Sequence, residues 1–73
     1  MSAARTHLVA VVADLNRRIA EAEMRSTAAA DALAALTRTG ADTIEAERQL
    51  WEEMDTLQAL RRQLLELRFL HSA

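Results

Sequence analysis

The 73-residue chain has no cysteine, no proline and no lysine, a single glycine, and only two aromatic residues, Trp51 and Phe69. Without cysteine there is neither a disulfide framework nor a thiolate-bound metal. Without proline nothing in the sequence breaks a helix from inside. The apolar half of the composition is mainly alanine and leucine, which with glutamate and arginine points to long helices. A hydrophobic content of 51% argues against disorder. The net charge of -2 argues against a general nucleic-acid binder or a polybasic membrane anchor. The length allows one domain, residues 1–73, of a size that rarely holds a sufficient core without a partner.

Long hydrophobic runs are also missing. Leu8–Ala13 is an apolar run of six residues, ended by Asp14. A secretory signal needs about 7–15 apolar residues, and a membrane span about 20. Asp14, Glu21 and Glu23 do not fit an acid-poor transit peptide. The expectation is a cytoplasmic protein without a membrane segment. The all-arginine basic set and the heavy alanine content point to a GC-rich bacterial genome.

One strong break interrupts the chain, at Thr37-Arg38-Thr39-Gly40-Ala41-Asp42. Gly40 suits the left-handed position that closes a helix. Asp42 is a helix cap, and Glu45 three residues on completes a capping-box pattern. Arg38 complements the dipole of the last turn. These signals predict helix 1 over about 5–38, a turn over 39–42 and helix 2 over about 43–70. So short a turn folds the helices into an antiparallel hairpin.

Each helix carries a hydrophobic seam. In helix 1, Leu8, Val12, Leu15, Ile19, Ala22, Ser26, Ala29, Leu33 and Leu36 alternate steps of four and three, the 3.5-residue period of a coiled coil. In helix 2 the seam is Ala46, Leu50, Met54, Leu57, Leu60, Leu64, Leu67 and His71, with an irregularity near Met54. Folding the chain about Gly40 pairs positions whose numbers sum to 82 or 83. Leu36 then meets Ala46, Leu33 meets Leu50, Ala29 meets Met54, Ser26 meets Leu57, Ala22 meets Leu60, Ile19 meets Leu64 and Leu15 meets Leu67. Three middle layers oppose a small residue to a large one, as close packing requires. Ser26 is expected to satisfy its hydroxyl on a carbonyl of its own helix.

The seams do not use all the large apolar residues. Val9, Val11, Leu65, Phe69 and Leu70 lie towards the open end, and Ile44 and Trp51 towards the turn, with Ala28, Ala32 and Ala35 on helix 1. Burying one such large side chain is worth roughly 1.5–3 kcal/mol, and monomers seldom leave a large apolar patch bare. A second hairpin, making a two-fold four-helix bundle, or a helix of another protein would cover them. The contact residues predicted are Val9, Val11, Trp51, Leu65, Phe69 and Leu70. Spacing places Asp14 beside Arg17 and Arg18, Glu21 beside Arg25, and Arg48 beside Glu52 on solvated faces. The folding rule also sets Arg17 and Arg18 opposite Arg61 and Arg62, a basic flank for an acidic partner or a phosphate backbone.

Signs of catalysis are missing. Ser2, Ser26 and Ser72 have no histidine and carboxylate at motif spacing. Glu45, Glu47, Glu52, Glu53 and Asp55 have no histidine three residues on, as a bundle di-iron site requires. His7 and His71 share the open end without a carboxylate beside them, so neither a metal nor a cofactor is expected.

The fold expected is thus all-α, a coiled-coil-like hairpin that dimerises into a four-helix bundle. The function expected is non-catalytic protein–protein interaction, as an adaptor or assembly subunit, with a second copy or a partner's helix as ligand and no nucleic acid. With a turn at Gly40 and a tryptophan early in helix 2, Trp51, the chain is similar in outline to the hairpin co-chaperones of type III secretion needle subunits, although helix 1 is longer than in that pattern. That resemblance implies a small chaperone holding a partner helix. In shape, with an arginine flank, it also resembles the RNA-binding hairpin dimers that control plasmid copy number, which implies a structured RNA as ligand.

Overall fold

The computed structural model describes residues 3–71, with side chains from residue 5 onward; Ser2 and Ser72 lie outside the described residues. Two helices account for nearly all of it: α1, Ala3–Thr39, and α2, Ile44–His71. Helix α1 already includes Ala3 and Ala4, ahead of the boundary its periodicity suggests.

Helix α1 ends as its lone glycine dictates. Gly40 has φ +73°. Its amide donates to the Thr37 carbonyl at 3.2 Å, and the Ala41 amide donates to the Leu36 carbonyl at 3.1 Å. This pair of backward bonds is the Schellman closure, which occupies carbonyls that the helix itself leaves unpaired. The start of α2 departs from the expected capping box. Asp42 Oδ1 accepts from the Ile44 amide at 3.0 Å, as a cap should. Glu45, however, does not turn back to Asp42, because Arg48 engages its carboxylate one turn later. The Glu47 amide donates to the Thr43 carbonyl at 2.8 Å, and the Thr43 hydroxyl donates to the Glu47 carboxylate at 2.9 Å. Thr43 and Glu47 therefore share the closure of this end.

The helices pack against each other as a hairpin measuring 58 × 17 × 14 Å. Two interhelical ion pairs fix the direction. Arg25 reaches Glu53 at 3.0 Å and Glu23 reaches Arg61 at 3.4 Å, so positions rise along α2 as they fall along α1. Leu15, Ala22, Leu57, Leu60 and Leu64 are buried, and Val11, Val12, Ile19 and Leu67 pack around them. Leu8, Ser26, Ala29, Leu33 and Leu36 of the α1 seam are half-buried, as are Ala46, Leu50 and Met54 of α2. His71 departs from its predicted seam position and is exposed at the last turn, where no further layer covers it.

The irregularity near Met54 has a simple structural meaning. The half-buried and buried positions from Thr43, just before α2, onward include Ala46, Leu50, Glu53, Leu57, Leu60, Leu64 and Leu67. Their steps of three and four make an uninterrupted heptad, with Glu53 in a core position and Met54 beside it. The Glu53 side chain is only 21% exposed, and Arg25 neutralises it across the interface. A polar residue at one seam position fixes register, because any slip would strand the charge without its partner.

Candidate functional site

The candidate site is the set of surfaces that the hairpin leaves uncovered. Written as heptads, with the seams at a and d, Leu15, Ala22 and Ala29 of α1 and Glu53, Leu60 and Leu67 of α2 take d. In an antiparallel pair, e positions of the two helices flank the same side and g positions flank the other. The Glu23–Arg61 contact joins two e positions and confirms this placement. Residues at b lie next to e on each helix.

This assignment sorts the unused apolar residues. Ile44, Trp51 and Leu65 occupy b positions of α2, seven residues apart apart from the intervening Gln58, and Val9 occupies an e position of α1. All four share the e side, and their exposures are 73%, 64%, 67% and 64% in that order. Across the same face the b positions of α1 are Ala13, Ala20, Thr27 and Ala34, all small and exposed. Ala28 and Ala32 belong to the opposite side, where they line a shallow groove with Arg25, Ala29, Ala46, Gln49 and Glu53. Trp51 and the Ala28–Ala32 stripe therefore do not form one surface, although both lie near the turn.

The open end shows a second division. Leu65, Phe69 and Leu70 line a groove with Glu66 on the outer side of the last turns of α2, and Phe69 and Leu70 are highly exposed. Val11, predicted as a contact residue, packs instead against the hairpin core, because its g position adjoins the seam beside Val12. Met24 is a further large apolar side chain that is highly exposed. It lies at f, the position farthest from the seam; its place in the heptad was the available signal.

The four arginines of the expected basic flank do not come together. Arg18 is at g, Arg61 at e, and Arg17 and Arg62 are at f, on the outer surfaces of their helices. Arg17 is held by Asp14 at 2.6 Å and Glu21 at 2.8 Å, Arg18 lies 3.8 Å from Asp14, and Arg61 pairs with Glu23. Arg25 correspondingly reaches across to Glu53 rather than along its own helix to Glu21. The hydrogen bond from Arg17, supported by the charges of Arg17 and Arg18, holds the Asp14 carboxyl below its ordinary value. Arg48 does the same to Glu45 and also pairs with Glu52; its own pKa is raised, chiefly by its hydrogen bond with Glu45.

Ser26 is the other polar residue in the interface. Its Oγ is buried and has no hydrogen-bond partner among the described residues. The expected bond within its own helix is not made, whereas Thr37 and Thr56 do donate to the carbonyls four residues before them, at 2.9 and 3.1 Å.

No protein-family model, no curated protein and no solved structure matches this chain. Among the described residues no group of three or more histidine, aspartate or glutamate side chains is arranged to hold a metal, and no helix is long and apolar enough to cross a membrane. What the geometry offers is surface: one face with large apolar residues beside small ones, and an apolar groove at the end of α2.

Proposed function

We propose that the chain is a non-catalytic protein–protein interaction module, a helical hairpin that associates with a second copy and serves as an adaptor or assembly subunit. One observation carries this reading. Only five residues of the described chain are buried, while Val9, Ile44, Trp51, Leu65, Phe69 and Leu70 each expose 64% or more of their surface. A hairpin with more large apolar side chains outside than inside gains more from association than from any rearrangement of its own.

Light scattering across a dilution series tests the proposal. The expected mass at micromolar concentration is twice that of the 8.1 kDa chain. The single tryptophan provides an internal signal: Trp51 emission should shift to the blue as copies associate. A monomer at every concentration, with unshifted emission, overturns the reading. Trp51→Glu should weaken association while leaving helicity intact.

A partner protein's helix is the second reading, favoured by the groove of Leu65, Glu66, Phe69 and Leu70. It predicts a one-to-one complex that competes with self-association. The RNA-binding reading has no comparable support, since Arg17, Arg18 and Arg61 are each matched to a carboxylate.

A further inference from the structure

We propose that two hairpins pair through their e sides about a two-fold axis parallel to the helices, with both turns at the same end. The inference rests on the self-association just proposed and specifies its geometry. Three features support it.

The first is size. On the e side, the outer line of α2 is large, with Ile44, Trp51 and Leu65, and the outer line of α1 is small, with Ala13, Ala20, Thr27 and Ala34. Both lines keep the seven-residue spacing, so each follows a left-handed coiled-coil path just as the a/d seam does. A two-fold axis along the helices sets α2 of one copy over α1 of the other. Large residues then meet small ones on both flanks, and the two helix–helix spacings are equal. An axis across the helices, with turns at opposite ends, sets α2 on α2 and α1 on α1. Large then meets large and small meets small, which forces one wide spacing beside one narrow spacing.

The second feature is charge. The midline of this face carries the Glu23–Arg61 pair, separated by 3.4 Å. With turns at the same end, Glu23 of one copy faces Arg61 of the other, and the four groups form a square of alternating sign. With turns at opposite ends, an axis near residue 23 brings Glu23 onto Glu23 and Arg61 onto Arg61. An axis displaced along the helix separates the pairs and leaves each covered by an apolar surface. Covered charges are tolerated when every member is compensated. The next layer, Ala30 with Met54, is apolar and repeats the small–large opposition.

The third feature is area. A face 58 Å long and 17 Å wide offers on the order of 1,000 Å² per copy, comparable with the ~800 Å² that each side of a stable complex buries. The g side lacks the opposition of large and small: its outer positions are Asp14, Glu21, Ala28 and Ala35 on α1 and Glu45, Glu52, Ala59 and Glu66 on α2, with no large apolar residue among them.

The absence of native cysteine makes the test direct. Ala41→Cys places one spin label at each turn, on an exposed residue. Pulsed dipolar spectroscopy on the dimer should give a distance of roughly 20–30 Å, set by helix spacings of 8–10 Å plus the label arms. A distance of about 50 Å, near the length of the molecule, overturns the inference but leaves self-association standing. A monomer overturns both. An independent check exchanges charges. Glu23→Arg should weaken dimerisation by roughly tenfold or more by placing four like charges together, and adding Arg61→Glu should restore it. Circular dichroism confirms that the variants stay helical. Loss that the second exchange does not recover counts against the alternating square.

Discussion

The half of the hairpin away from the turn and the half next to it differ in how they are held. Away from the turn, Leu15, Ala22, Leu57, Leu60 and Leu64 are buried and Ile19 and Leu67 support them. Next to the turn, Leu33, Leu36, Ala46 and Leu50 keep the same periodicity but are only half-buried. That half relies on backbone closure at Gly40, on Asp42 and Thr43 at the start of α2, and on the Arg48 ion pairs. The boundary between them is polar, with Ser26 on one helix and Glu53 on the other. Covalent connection holds the helices together at the turn without tight packing, whereas the remote half is kept closed by its buried side chains and the Glu23–Arg61 ion pair.

The largest expected effect probes that contrast. Leu60→Ala should cost about 2–5 kcal/mol in chemical denaturation, the usual loss for a buried leucine. Leu33→Ala, one step from the turn, should cost less than about half as much. Equal losses would mean that the halves are equally packed and would remove the comparison. Next in size is Gly40→Ala, which should destabilise by about 1–2 kcal/mol, the cost of a left-handed backbone for a residue with a Cβ. Nothing lies within 4 Å of the Cβ it would add, so the penalty should come from the backbone alone. Gly40→Asn should recover part of it, since asparagine tolerates that conformation.

Ser26→Ala acts at the boundary and with opposite sign. It removes a buried hydroxyl that has no partner among the described residues and should raise stability by about 1 kcal/mol. Ser26→Leu should instead lower the melting temperature or change the oligomer, because the Ser26 hydroxyl is already buried and a larger side chain must displace its neighbours. Acid should have the smallest effect, and it should touch both halves. Asp14 lies in the remote half and Glu45 near the turn, and both carboxyls have depressed folded-state pKa values. Each therefore contributes its full share above the ordinary carboxylate range and loses it as pH falls through the depressed value. Helicity should decline mildly on acidification, with high salt reducing the difference. Asp14→Asn combined with Glu45→Gln should flatten that profile, measured by circular dichroism.

Much of this fold can be read directly from residue order. The turn at Gly40, the α1 seam and the α2 seam apart from Glu53 follow from local periodicity, because a helix repeats its faces every 3.6 residues whatever it packs against. The candidate surface was less legible. Val9, Trp51 and Leu65 stand out as unused apolar residues, yet their common face becomes visible only once Glu53 restores the α2 heptad. Val11 and the four arginines were misplaced because matching residue numbers across the turn sets the level along the hairpin but not the flank. The flank follows from the heptad position only once the seam itself is placed correctly.

The order of amino acids alone determined that this chain makes two helices, where they turn, and most of the stripe by which each meets the other, since all three depend on interactions within a few residues. Tertiary structure decided which half of that stripe is shielded from water, that Arg25 chooses Glu53 over Glu21, that the Ser26 hydroxyl is buried without a partner among the described residues, and which apolar residues share a side. Those outcomes depend on distances between groups far apart in the chain, which exist only after the two helices have come together.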